Sequence, residues 1–312
     1  MQLLLFDVDG VLIEPHGYHY ALQATLQKLG RMCGIPDCNL TEEDIAAFES
    51  NGVSTEWDSS AISLAYLLTQ VWRIAPDFRL PDRLAADPPP FHLPAPDFRA
   101  LTTALAGTRN QGWTSLERGA HLLVENDSLN PDQRTYLREI FAHARCESGI
   151  NYLLFQELVA GSAAFARLYH LPPAFNVESY LMLYDKPLLL PGDASALKAW
   201  YRQPDQGAAL FTARPGDSPQ SVPSALEAER GAELLALDGI PIASQGKIAW
   251  MSQQLNLPEQ SLIKPAPAHV LMALLLAAGV PLEETVQPVK AFLMESEAPS
   301  VLGRLRGAQV CI

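Results

Sequence analysis

The sequence lacks the clusters of basic residues that are typical of proteins that bind nucleic acids or anionic membranes. Its 22 lysines and arginines are scattered and are outnumbered by 35 acidic residues, which gives a formal net charge of −13. A surface that binds nucleic acid or an anionic membrane normally carries a stripe of basic residues. We therefore expect neither nucleic acid nor a membrane as a partner. A small-molecule substrate fits this composition better, while the oligomeric state is left open.

Long hydrophobic runs are also missing. The N-terminal apolar run is interrupted by Asp7 after a few residues and has no basic leader, which is not the pattern of a secretory signal. The longest later run, 270–280, is far shorter than the roughly 20 residues that span a bilayer. We therefore expect a soluble, cytoplasmic protein.

Cysteine is scarce, with four in 312 residues. Cys33 and Cys38 are five positions apart, which is not a usual zinc spacing, and Cys146 and Cys311 stand alone. Free thiols are expected rather than a disulfide or a metal site, in keeping with an intracellular compartment.

The order of helical and strand patterns predicts two domains. Residues 15–187 are mostly helical in pattern, with a proline-rich segment at 74–98 that we interpret as an exposed loop. From 188 onward, strands and helices alternate, which is typical of a doubly wound parallel sheet. Because the N-terminal strand needs partners, we predict an α/β core of residues 1–14 and 188–312, with an α-helical cap domain of residues 15–187 inserted. Within this core, strands are expected at 208–212, 233–237, 289–294 and 309–312, and helices at 194–201 and 266–278.

The most informative segment of the chain lies at its start. A short apolar run, Leu3–Phe6, predicts a buried strand that delivers Asp7 and Asp9 into a glycine-containing loop. Two carboxylates this close suppress each other's ionisation unless a cation lies between them. The pattern favours a metal-assisted phosphoryl-transfer site, although an isolated motif of this kind is more often a surface turn.

Further polar residues follow the predicted strands of the core. Thr212 ends the strand at 208–212, Lys264 precedes a proline and a helix, and Glu295 follows the strand at 289–294. In an open parallel sheet, ligands bind beyond the carboxyl ends of the strands. A hydroxyl and an ammonium placed there are suited to a phosphoryl group.

Together these segments resemble the haloacid dehalogenase superfamily, in its Asp-x-Asp phosphatase branch. Four ordered motifs carry the resemblance: Phe6–Leu12, Phe211–Pro215, Lys264-Pro265 and the acidic position Glu295. They cover about the first 14 and the last 125 residues, and the long helical insert lies where the family places a cap. The resemblance implies a Rossmann-like core and a Mg²⁺-dependent phosphatase acting on a small phosphorylated metabolite.

The resemblance also implies a role for each matched residue. Asp7 would attack phosphorus and form an aspartyl-phosphate, while Asp9 would protonate the leaving group and then activate water. Thr212 and Lys264 would contact the phosphoryl group. Mg²⁺ would be bound by Asp7, by the main-chain carbonyl of Asp9 and by Glu295. Dehalogenation is not expected, because the dehalogenases of this family lack the second aspartate.

The fourth motif departs from the family pattern. Glu295 replaces the usual aspartate, and Pro299 or Ser300 stands where a second acid would fall. Glu295 can still reach a metal, and Glu297 is a weaker candidate. The alternative is that both are solvated acids at the start of a helix.

Other assignments stay open at this stage. Lys247 is an alternative to Lys264, and Arg214 either reaches the phosphate or forms a structural salt bridge. Trp57 and Asp58 resemble a substrate-facing cap segment, whereas the simpler interpretation is that Asp58 or Ser59 caps a helix over 60–71 and Trp57 packs beside it. The functional alternatives are a weak or inactive relative that binds a phosphate ligand or a protein, and, less favoured, a phosphomutase.

Overall fold

The computed structural model describes residues 1–81, 84, 87–125, 128–219, 225–294, 303 and 305–311. The chain divides into two compact units, residues 1–16 with 184–312, and residues 17–183. None of the helices in the described ranges is long and apolar enough to cross a membrane. All four cysteines are free thiols, as expected, and burial raises the pKa of Cys38 to about 12.

The first unit is an α/β structure built on a parallel four-stranded sheet. Its strands are β1 (Gln2–Asp7), β4 (Gln206–Phe211), β5 (Ile242–Ala243) and β6 (Gln309–Cys311), in the order β5-β4-β1-β6. A separate antiparallel pair is formed by β2 (Ile13–Glu14) and β3 (Lys186–Pro187). Its helices are α10 (Pro191–Tyr201), α11 (Glu227–Leu234), α12 (Gln245–Leu255), α13 (Pro267–Ala277) and α14 (Leu282–Leu293). The sheet unites the two ends of the chain, because the long helical insertion lies between β1 and β4.

Both faces of the sheet are covered, as the predicted doubly wound class requires. Leu5 and Ala209 point to one face, where they pack with residues of α12, α13 and α14. Ala208 and Leu210 point to the other face and pack with residues of α10 and α11. Since successive side chains of a strand alternate between faces, these adjacent residues serve two separate cores.

Two predicted strands are helical in the structure. Residues 289–294 belong mainly to α14, in which Thr285, Pro288 and Val289 are buried at helical spacing. Residues 233–237 form the end of α11 and the turn that follows it, where Ala236 has a φ of 54°. A short apolar run does not distinguish a strand from a helix or turn over five or six residues. Within 289–294 only Val289 and Ala291 are buried, and Leu235 and Leu237 are buried in the turn after α11.

The second unit is helical. It contains α1 (Gly17–Met32), α2 (Glu42–Ser50), α3 (Glu56–Val71), α4 (Phe98–Ala106), α5 (Ser115–Val124), α6 (Pro131–Ala142), α7 (Ile150–Ala160) and α8 (Ser162–Tyr169), and α9 (Tyr180–Tyr184) ends at the boundary between the units. Thr41 caps α2 in a reciprocal capping box with Asp44. The helical pattern of 151–169 is interrupted between α7 and α8 at Gly161, whose φ of 84° is unsuited to most other residues.

Neither Ser59 nor Asp58 caps a helix, because α3 begins at Glu56 and both residues lie inside it. The Asp58 side chain is only 1% exposed and forms an ion pair with Arg145, with Nε–Oδ1 and Nη2–Oδ2 distances of 2.7 Å. Ser115 also donates a hydrogen bond to this carboxylate. The contacts of Asp58 are therefore those of a structural anchor between helices.

We expect Arg145→Met to lower the free energy of unfolding by about 2 kcal/mol, because the Arg145 side chain is 55% exposed but the carboxylate that loses its cation is buried. Arg138→Met is the matched control: Arg138 pairs with Glu125 at 3.5 Å and both side chains are 58% exposed, so the loss should stay below about 1 kcal/mol. Urea denaturation followed by far-UV circular dichroism measures both values. Equal effects of the two substitutions would contradict the anchoring role of Asp58.

Candidate active site

The registers of the sheet bring three chain segments to one edge. Asp7, the last residue of β1, is paired with Phe211 of β4, and Phe211 is paired with Ala243 of β5. Thr212 follows β4 directly, and Asp9 lies two residues after the end of β1. Because the strands are parallel, all of these residues lie at the carboxyl edge of the sheet, where ligands bind in open α/β folds.

Asp7 is paired with Lys264. The Lys264 Nζ lies 2.6 Å from Oδ1 of Asp7, and the same oxygen accepts the main-chain N–H of Val8 at 2.8 Å. No described residue donates to Oδ2 of Asp7, whose side chain is 37% exposed. Asp7 therefore keeps one accessible carboxylate oxygen while a cation offsets its charge.

The Asp9 carboxylate is bound through both of its oxygens. Thr212 Oγ1 donates to Oδ2 at 3.2 Å, and Arg214 Nε donates to Oδ1 at 2.8 Å, with Nη2 of Arg214 2.6 Å from the same atom. Thr212 Oγ1 also accepts the main-chain N–H of Arg214 at 3.0 Å. Two roles were considered for Arg214, contact with the phosphate and a structural salt bridge. The structure shows the salt bridge directly.

Asp185 belongs to the same cluster, although no sequence pattern singles it out. Its side chain is fully buried, and its Oδ2 accepts from Arg214 Nη2 at 2.8 Å. Its Oδ1 accepts the main-chain N–H of His16 at 2.9 Å. Asp185 therefore holds the guanidinium that in turn holds Asp9.

The alternative lysine, Lys247, is directed elsewhere. Its Nζ donates to the main-chain carbonyl of Ile242 at 2.7 Å, and burial lowers its pKa. The structure thus places Lys264, rather than Lys247, on Asp7. His19 of the helical unit lies 3.0 Å from a carboxylate oxygen of Glu42, a contact between α1 and α2.

Oxygen atoms suited to a divalent cation are present at the sheet edge. Among the described residues no group of three or more His, Cys, Asp and Glu is arranged to hold a metal, and the predicted ligand Glu295 and its neighbour Glu297 lie outside those residues. Oδ2 of Asp7 and the main-chain carbonyl of Asp9 have no donor within the described ranges. Mg²⁺ prefers such oxygens and usually keeps several waters, so the chemistry of these two donors fits it.

The formal charge of the cluster also favours a bound divalent cation. Asp7, Asp9 and Asp185 are three carboxylates, whereas Lys264 and Arg214 supply two cations. One formal negative charge is left over, which opposes the approach of a phosphate. A bound dication would reverse that sign.

Comparisons with known proteins give two distant structural likenesses. No protein-family model and no curated protein matches the sequence. The X-ray structure of Northeast Structural Genomics Consortium target ZR25 is 13% identical with a TM-score of 0.49, over 92% of this chain and 81% of that one. Phosphatase Tt82 from Thermococcus thioreducens is 13% identical with a TM-score of 0.43, over 87% of this chain and 78% of that one. Because both scores are below 0.5, the fold assignment rests on the strand order and registers described above.

A pH effect on stability follows from His269, a fully buried residue of α13. Burial lowers its pKa below the ordinary value of 6.5, so the unfolded chain binds a proton that the folded chain does not bind between the two pKa values. The contribution of His269 to the free energy of unfolding is therefore complete at a pH above its pKa in the unfolded chain. This contribution is lost as the pH falls below that pKa.

The measurement is the free energy of unfolding of the wild type and of His269→Asn, by urea denaturation, from about pH 7.5 to about pH 5. Other histidines are common to both chains and cancel in the difference. We expect the stability advantage of the wild type to shrink as the pH falls. An advantage that grows toward acid pH would contradict a lowered pKa.

Proposed function

We propose that this chain is a Mg²⁺-dependent phosphatase of the haloacid dehalogenase type, acting on a small phosphorylated metabolite. The observation that carries the proposal is the position of Asp7. It lies at the carboxyl end of a central parallel strand, with one carboxylate oxygen on Lys264 and the other accessible. Asp9 and Thr212, the other residues that the resemblance singles out, lie beside it.

The first step would transfer the phosphoryl group to the protein. A carboxylate oxygen of Asp7 forms a bond to phosphorus while the bond from phosphorus to the leaving oxygen breaks. Asp9 enters this step as the protonated acid and gives its proton to this oxygen, which requires its carboxyl group to exchange a contact with Thr212 or Arg214 for one with the substrate. Lys264 offsets negative charge on the transferring group.

The second step would release phosphate. Asp9 removes a proton from a water molecule as the water oxygen bonds to phosphorus, and the bond between phosphorus and Asp7 breaks. When bound by Asp7 and the Asp9 carbonyl, Mg²⁺ would supply charge neutralisation for the phosphate oxygens. Glu295 stays the proposed third ligand.

A second candidate function is supported by the contacts of Asp9. Both of its carboxylate oxygens are bonded to protein groups, so in this arrangement Asp9 is not available to a leaving group, which favours a relative that binds a phosphate ligand without turning it over. The two candidates differ in one measurable property, the release of phosphate.

The test is a panel of phosphorylated metabolites and a generic aryl phosphate, assayed for released phosphate with and without Mg²⁺. We expect turnover that requires Mg²⁺, and we expect Asp7→Asn to reduce it by at least about 10³-fold, because the amide is a poor nucleophile. Asp193→Asn is the matched control, since Asp193 is an exposed residue in the first turn of α10, and it should leave activity unchanged.

Binding of phosphate ligands without any turnover on the panel would favour the second candidate. Equal activity in Asp7→Asn and the control would contradict the assignment of the nucleophile.

A further inference from the structure

His269 is an unusual residue for its position. It lies in the first turn of α13, is fully buried, and neighbours such apolar core residues as Ala268 and Met272. Burying an imidazole is costly unless both ring nitrogens find partners, and an aliphatic residue would fill the same space without that cost. Its partners therefore indicate what the residue contributes.

Both ring nitrogens are bonded to main-chain groups at the candidate site. Nδ1 accepts the main-chain N–H of Lys264 at 3.2 Å, and Nε2 lies 2.9 Å from the main-chain carbonyl of Ala243. Because a main-chain N–H can only donate, Nδ1 must be the unprotonated nitrogen, and Nε2 carries the proton that it donates to Ala243. The contacts thus select one neutral tautomer.

The carbonyl of Ala243 has a second donor, which connects His269 to the rest of the site. It also accepts the main-chain N–H of Thr212 at 3.0 Å. His269 consequently links the main chain of Lys264 to the same atom that fixes Thr212. These two residues come from segments about 50 positions apart, and the imidazole joins them through two hydrogen bonds.

Phe211 completes the arrangement. The edge of its ring contacts His269, with centroids 5.9 Å apart and an interplanar angle of 89°. The Lys264 Nζ lies 4.8 Å from the centroid of the same ring, which favours a cation–π contact. The buried His269 side chain therefore contacts both the main chain of Lys264 and the Phe211 ring beside its ammonium group.

We infer that His269 is a positioning residue that holds Lys264 in place to direct its ammonium group onto Asp7. A lysine side chain has four flexible bonds, so an anchored main chain is needed to fix where its charge lies. The inference rests on the proposed function, since it gives Lys264 a role at a phosphate site.

Two substitutions separate positioning from mere packing. In His269→Asn the side-chain oxygen can occupy the place of Nδ1 and accept from Lys264, whereas the amide of His269→Gln reaches toward the place of Nε2 and Ala243. We expect His269→Gln to reduce kcat/KM about tenfold to a hundredfold and His269→Asn to keep most of it. Thermal unfolding of both variants shows whether they are equally folded.

The decisive experiment is a double-mutant cycle with Lys264→Met. The wild type, His269→Gln, Lys264→Met and the double variant are compared for kcat/KM. Their affinity for orthovanadate, a phosphate analogue whose binding needs no turnover, is measured by calorimetry. If His269 acts through Lys264, His269→Gln weakens both quantities in the wild-type background and changes neither in the Lys264→Met background. An equal loss in both backgrounds, or equal damage by Asn and Gln at equal Tm, would overturn the inference.

The calorimetric measurement also separates this inference from the proposed function. A wild-type chain that binds orthovanadate but turns over no phosphate ester would disprove the phosphatase, while the cycle on orthovanadate affinity would still decide the role of His269. A chain that neither binds orthovanadate nor turns over an ester would remove both proposals.

Discussion

The parallel pairing of β1 with β4 is the constraint on which the candidate site depends. These strands are separated by about 200 residues of sequence, and their register sets Asp7 opposite Phe211. A shift of one residue in this register would turn the buried side chains of a strand to the opposite face. The apolar residues of both strands therefore fix, through packing, the place where Asp7 and Thr212 meet. The chemistry at this edge of the sheet therefore depends on the long-range pairing of β1 with β4.

Charge balance is the second constraint at this edge. Lys264 binds Asp7, while the buried Arg214 bridges Asp9 and Asp185. Breaking such a buried pair on one side is costly because the remaining charge is left without a partner. The arrangement holds the two candidate catalytic carboxylates in separate surroundings, one next to a flexible ammonium and one next to a rigid guanidinium. Separate surroundings are what a nucleophile and a proton donor need, since the two perform different tasks.

Much of this organisation could be predicted from the sequence. The alternating elements near the C-terminus and the apolar run before Asp7 indicated the α/β class and the insertion, and the spacing of motifs indicated Asp7, Asp9, Thr212 and Lys264 as candidates. The strands expected at 233–237 and 289–294 were wrong, because a short apolar run is compatible with one face of a helix. Asp185 and His269 could not be found, since a buried polar residue is recognised only by its partners, and those partners lie far away along the chain.

The central claim is that Asp7 carries the phosphoryl group during turnover. The most direct measurement is to quench the chain with acid during reaction with a phosphate ester and Mg²⁺, reduce it with borohydride, and map its peptides by mass spectrometry. Borohydride converts an aspartyl-phosphate to homoserine and leaves free aspartate unchanged. We expect homoserine at position 7, dependent on substrate and not found at position 9. Turnover with aspartate intact at position 7, or with homoserine at another position, would contradict it.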